Sequence, residues 1–309
     1  MSRNYGYSRN MYVAGRKVLT AAQTRKEISF STSATIGERW NAFCDFALEQ
    51  GVKKMEAVTR ELVINYGTKL AREVSAGKLS ASTAQNAVSA VNTVLNLVQQ
   101  KQWKSVLAVK DCGIAKRSYV RVHAPADCSV YDRAVERLSD RPREQALIML
   151  CREFGLRAKE ASLLRVDKAF EEALAFEKIS VEYGTKGGRL REVPITARSQ
   201  VKALYQAILA KQRVDNCLLP KDTRIDAWLD GPAQHARNAI KAEGGKGLHD
   251  LRAAYACSRY ELLTGHPAPC VVGSRLASKD VDLRARMTIS EELGHGRIDV
   301  LTSYVGSSK

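Results

Sequence analysis

Residues 173–195, ALAFEKISVEYGTKGGRLREVPI, are the one stretch that reads as strand rather than helix. Two runs of extended-type residues flank a glycine-rich turn, GTKGG, which is the pattern of a β-hairpin. One hairpin supports only a small antiparallel sheet, so the remaining core of a 309-residue chain must come from helices. A low aromatic content of 6% agrees with a mainly α protein better than with a sandwich of aromatic-rich strands. The length exceeds what one compact core usually takes and points to two domains.

Helical spacing organises the rest. Thr35 and Glu38 form a capping-box pattern that predicts a helix start at Thr35, followed by Ile36, Trp40, Phe43 and Ala47 on one face and closed by Gly51. Leu62, Tyr66 and Leu70 mark a helix over 59–74, and Ala84, Val88, Val91, Leu95 and Val98 a third over 82–100. Before them, residues 1–32 carry six basic side chains among three tyrosines and read as a flexible basic arm. After them, residues 104–128 lose periodicity and hold Lys104, Lys110, Lys116, Arg117 and Arg121, which reads as a basic linker. A second domain then covers 129–309, with helices expected at 142–154, from Ala158, and at about 197–212, 233–243, 249–263 and 282–293, and a last turn or two at 298–304.

The formal net charge is +16, from 49 Lys and Arg against 33 Asp and Glu. Residues 1–128 hold 19 basic and 9 acidic side chains, so the front of the chain is the more strongly basic part. Such an excess concentrates polyanions and points to nucleic acid. No apolar run is long enough to span a bilayer, and the N-terminal residues lack the apolar segment of a secretory signal. Seven cysteines, none at C-x-x-C spacing, predict reduced thiols in a cytosolic protein. The five histidines include no H-E-x-x-H, so no metal site is expected, and neither GTKGG nor EGGKGL fits an ATP-binding P-loop.

Chemistry gathers in the second domain. GLRAKEASLL places Arg157 between a helix-breaking glycine and the next helix, and the hairpin turn carries Lys186. LHDLRAAYA puts His249 and Arg252 three residues apart, on one face of a helix. LGHGR contributes His295, and Tyr304 follows nine residues later. Two guanidiniums can bind the non-bridging oxygens of a phosphodiester and hold them more tightly as negative charge builds in the transition state. A histidine can take the phenolic proton that a tyrosine, with an ordinary pKa near 10, gives up only with help. A lysine on the hairpin can protonate the departing 5′ oxygen.

In that order and spacing the residues resemble the tyrosine recombinase (phage-integrase-type) family: Gly155-Leu156-Arg157 with Glu160, the hairpin Lys186, His249-Asp250-Leu251-Arg252, Leu293-Gly294-His295, and Tyr304. The likeness covers most of residues 33–305. It implies a helical core-binding domain over 33–103 and a recombinase catalytic domain over 129–309, clamping duplex DNA. It further implies metal- and ATP-independent cutting and rejoining through a 3′-phosphotyrosine, without a cofactor. Arg157, Arg252 and His295 would hold the phosphate, His249 would accept the nucleophile's proton and Lys186 would be the general acid. The implied partners are double-stranded DNA and a homotetramer assembled on it. An accessory DNA-bending protein is left open, and the implied location is the cytoplasm, at the nucleoid. The chain departs from the pattern in two places: the 43 residues from Arg252 to His295 are longer than usual and suggest an inserted loop, and only VGSSK follows Val305's neighbour Tyr304. A non-catalytic DNA-binding protein on the same fold and a type IB topoisomerase-like enzyme remain as alternatives.

Overall fold

The computed structural model describes residues 3–309, with the side chain of Lys186 outside the description. It divides into two compact units, Met1–Ser118 and Tyr119–Lys309.

The first unit is built from α1 (Met11–Thr24), α2 (Phe30–Glu49), α3 (Arg60–Ser75) and α4 (Ala81–Val98). The segment expected to be a flexible arm contains α1 and the start of α2. Asn10 caps it through its side chain, and Met11, Ala14, Val18, Leu19 and Ala22 are buried along one stripe. Its charges, Arg16 and Lys17, lie on the opposite, exposed face, so the segment is basic and helical at once. Gly15 sits where α1 meets α2: a Cβ there would stand 2.1 Å from the Trp40 ring, whose Nε1 donates to the Met11 carbonyl at 3.1 Å. Trp40, Phe43 and Tyr66 continue this core as neighbouring rings 5.4 and 5.3 Å apart. α2 begins five residues before the expected Thr35, because Ser29 is the residue that caps it, accepting from the Thr32 amide at 3.2 Å. Thr35 is already inside the helix and donates back to the Ser31 carbonyl. The expected linker also belongs partly to this unit, since Val106, Cys112 and Ile114 are buried in its core.

The second unit surrounds α6 (Pro142–Glu153), which packs against α9 (Arg198–Ala210), α11 (Pro232–Ala242) and α12 (Leu248–Thr264). The remaining elements are α5 (Cys128–Glu136), α7 (Ala158–Leu163), α8 (Val166–Phe176), α10 (Ile225–Asp230), α13 (Pro269–Val272), α14 (Lys279–Glu292) and α15 (Thr302–Val305). A two-stranded antiparallel sheet pairs β1 (Lys178–Val181) with β2 (Arg191–Pro194), in the register Ile179↔Val193 and Val181↔Arg191. Ile179, Val181, Val193 and Arg191 are buried, so the pleat turns one arginine into the core with the aliphatic residues. The hairpin is shorter than its sequence suggested. Ala173 to Phe176 belong to α8, whose Val166, Ala169 and Ala173 are buried along one face, and Glu177 ends it in the left-handed conformation, φ 52°.

The 264–287 stretch is not an inserted loop. α13 and most of α14 occupy it, and Ser278 caps α14 by accepting from the Val281 amide.

Candidate active site

Gly155 starts the site by bringing three elements into contact. Its φ of +60° suits glycine, and a Cβ would come within 2.5 Å of the Tyr255 ring and 2.8 Å of Leu293. The chain can then turn from α6 into α7 with Arg157 at the N-cap. Glu160, fully buried, closes that turn by accepting from the Arg157 amide at 2.7 Å and from Arg157 Nη1 at 2.6 Å. Arg191 reaches the same carboxylate from β2, with Nη1 3.0 Å from Oε1 and Nη2 2.7 Å from Oε2. Arg252 Nη1 lies 3.7 Å away. Burial would push the Glu160 carboxyl up, but the Arg191 fork, the Arg157 amide and the Arg252 charge bring it down to about 2.

Three guanidiniums therefore share one carboxylate. The surplus positive charge is held in a largely buried setting, which is the electrostatic specification for an anion.

Arg252 is aimed by the main chain. Nη1 donates to the Gly155 carbonyl and Nη2 to the Leu293 carbonyl, leaving Nε 3.3 Å from the Tyr304 hydroxyl. Its side chain is fully buried, and that burial lowers its pKa to about 10, so it stays charged at neutral pH. His295 follows Gly294, whose left-handed φ of +65° ends α14, and its backbone is fixed in both directions by Ser290. Its Nε2 stands 3.2 Å from both Arg252 Nη2 and the Tyr304 hydroxyl. Burial, then the charges of Arg252, Arg157 and Arg191, hold this imidazole down at about 3, so it is neutral. His249, at the start of α12, faces the phenol ring with centroids 5.2 Å apart. Its pKa is lowered by burial and then by Arg252, Arg157 and Arg121. The next residue, Asp250, pins this helix start by accepting from the Arg121 guanidinium, the Ala126 amide at 3.1 Å and the Lys246 amide at 3.3 Å.

The fold thus brings Arg157, His249, Arg252, His295 and Tyr304 into one site, with Tyr304 only 3% exposed. The main chain of Lys186 lies in a short turn, Lys186–Gly188, between the strands, while its side chain lies outside the described residues. The loop that carries it is anchored beside α7: a Cβ on Gly184 would fall 2.8 Å from the Lys159 carbonyl. Sequence reasoning overlooked Arg191. Its signal was a charged residue at an inward position of an alternating strand, two before Val193.

The integrase family profile matches residues 113–258, which include Arg157, Lys186, His249 and Arg252 but stop short of His295 and Tyr304. Solved structures extend the likeness over nearly the whole fold. The Tn1549 transposon integrase in complex with a circular intermediate DNA is 13% identical, with 95% of this chain and 96% of that one covered and a TM-score of 0.60. The XerH site-specific recombinase bound to palindromic difH, a post-cleavage complex, is 14% identical over 94% and 80%, with a TM-score of 0.60. A lambda integrase tetramer bound to a Holliday junction is 15% identical over 95% and 75%, with a TM-score of 0.58. No curated protein matches the chain in sequence.

Over residues 113–258 the sequence is similar to the integrase family. The chain's mostly helical fold with one small sheet is that of these solved recombinases. No helix among the described residues is long and apolar enough to cross a membrane.

Proposed function

We propose that the protein is a tyrosine recombinase, a site-specific DNA strand transferase that cuts and rejoins duplex DNA through a covalent 3′-phosphotyrosine on Tyr304, using guanidinium charge where other phosphoryl-transfer enzymes use metal ions, and without ATP. The observation that carries the reading is the contact of the Tyr304 hydroxyl with both Arg252 Nε and His295 Nε2. Tyr255 and Tyr260 in the same unit donate to carboxylates, whereas the Tyr304 oxygen faces a guanidinium and an imidazole. That guanidinium, Arg252, is fully buried.

The steps follow from charge. Arg157 and Arg252 bind the non-bridging oxygens of one phosphate and neutralise the charge that repels a nucleophile. The phenol turns from His295 toward phosphorus as DNA enters, and His295 then hydrogen-bonds the phosphate. His249, neutral and beside the ring, takes the phenolic proton. The Tyr304 oxygen bonds to phosphorus, the bond from phosphorus to the 5′ oxygen breaks, and Lys186 protonates that oxygen. A 5′-hydroxyl attacking the phosphotyrosine reverses every step and joins a new strand. The bond energy is retained in the ester, so no nucleotide is consumed. DNA duplex is the substrate, and a homotetramer assembled on two sites is the working form. The Holliday-junction tetramer of lambda integrase supports that stoichiometry by analogy of fold.

A suicide duplex, nicked so that the cleaved end diffuses away, tests the reading. With chelator present the recombinase is expected to form a covalent protein–DNA adduct on its cognate site, and Tyr304→Phe is expected to form none. An adduct that persists in Tyr304→Phe, or that requires a divalent cation, would overturn it.

A further inference from the structure

α15 has four residues, too few to hold a shape alone. The position of the Tyr304 oxygen is therefore set by what grips the main chain around it. Upstream, the Arg121 amide donates to the Thr302 carbonyl at 2.8 Å. Downstream, Arg286 of α14 donates through Nη1 to the Gly306 carbonyl and through Nη2 to the Ser307 carbonyl, each at 3.1 Å. We propose that Arg286, in the long stretch between Arg252 and His295, is a positioning residue. By gripping the main chain two and three residues beyond Tyr304, it fixes that phenol in the site of its own chain. This rests on Tyr304 being the nucleophile.

The guanidinium is built for the task. Its Nε is held by both oxygens of Asp282, at 3.0 and 2.9 Å, and Asp282 is oriented in turn by the Tyr260 hydroxyl at 2.7 Å. The Tyr260 ring lies under the guanidinium, 5.9 Å away. Arg286 and Asp282 are only 2% and 3% exposed. An apolar pair of similar volume would fasten α14 to α12 as well or better, because burying two charges is costly. The pair gains its purpose from the two carbonyls it leaves the guanidinium free to hold. A lysine, with a single point charge, could not span Asp282 and two successive carbonyls. Gly306 completes the arrangement: its φ is +92°, and a Cβ would lie 2.5 Å from the Cys270 amide nitrogen, so only glycine lets the chain pass close enough to be gripped.

The test compares single-turnover cleavage of the suicide duplex, at saturating DNA, by four proteins: the parent, Arg286→Ala, the chain ending at Val305, and the two changes combined. Displacing a nucleophile by about 1 Å costs on the order of 100-fold in rate. Each single change is expected to slow cleavage by about 10- to 100-fold with DNA affinity unchanged, and the combination is expected to be no slower than the worse single change, since both remove the same tie. A purely structural role for Arg286 predicts rates that multiply, and that result would overturn the proposal. A chain ending at Val305 that cleaves at the parental rate would overturn it too, and this arm decides the matter even if Arg286→Ala does not fold. Absence of any adduct with the parent would instead count against Tyr304 as the nucleophile.

Discussion

The two units bury different kinds of residue. In the first, the core is aliphatic and aromatic, and Asn4 is the single polar residue among its described buried side chains. In the second, Glu160, Arg191, Arg252, Arg259, Asp282, Arg286 and Glu292 are all buried. Charges of this kind are weak contributors to stability compared with apolar residues of the same volume. Their concentration in one unit therefore marks where the chain has given up stability for a fixed arrangement of charge. Both units are held by apolar cores, and the second also fixes buried charges by pairing them.

That contrast can be broken by mutation. The largest effect is expected from Arg252→Ala, which strips the Gly155 and Leu293 carbonyls of their donor and removes the cation touching the phenol. Cleavage should fall by at least about 100- to 1,000-fold, the loss typical of a deleted transition-state donor, as measured by adduct formation in a single turnover. A rate near the parent's would show that the buried charge serves the fold alone.

Glu160→Gln comes next. It leaves three guanidiniums around a neutral group, and should destabilise the second unit by about 3–5 kcal/mol, as loss of one partner from a buried pair does, read by urea unfolding. Trp40→Ala should cost a similar amount in the first unit, about 3–5 kcal/mol for a large core side chain. The difference lies in the chemistry: Trp40→Ala should leave the cleavage rate at saturating DNA unchanged, whereas Glu160→Gln should lower it by releasing Arg157.

Acid should distinguish the units as well. His295 is held at about 3, below its ordinary 6.5, so in the intervening range the unfolded chain binds the proton and the folded one does not. Glu160, held at about 2 against an ordinary 4.5, acts in the same direction at lower pH. Both contributions are complete above pH 6.5 and are lost on acidification. The stability of the second unit should decline from there downward, and should decline less steeply between pH 6.5 and 4.5 in His295→Gln. Identical slopes in the two proteins would contradict the assignment. The smallest effect is expected at the exposed cross-strand pair Lys178–Glu192, 2.9 Å apart, where Lys178→Ala should change stability by no more than about 0.5 kcal/mol.

The same contrast explains what could be read in the sequence. Helices with one apolar stripe, such as α3 and α4, were legible to within a residue or two because periodicity and burial coincide there. α1 was obscured by its charges, although Met11, Ala14, Val18 and Ala22 carried the spacing of a buried face. α2 started early because its cap, Ser29, precedes a run of small hydroxyl residues without a strong apolar signal. Five members of the candidate site stood out through order and spacing and meet around Tyr304. The supports did not stand out. Arg191 acts from a strand 31 residues away from Glu160, and Arg286 grips main-chain carbonyls, which carry no mark in the sequence. Side chains that bind backbone are invisible until the chain is folded.

Peptide mapping of the trapped complex is the most direct test of the central claim. After cleavage of a suicide duplex, protease and nuclease digestion should yield one peptide spanning Tyr304 with a nucleotide attached through its 3′ phosphate to the phenol oxygen. A nucleotide on any other residue, or a 5′-phosphate linkage, would contradict it.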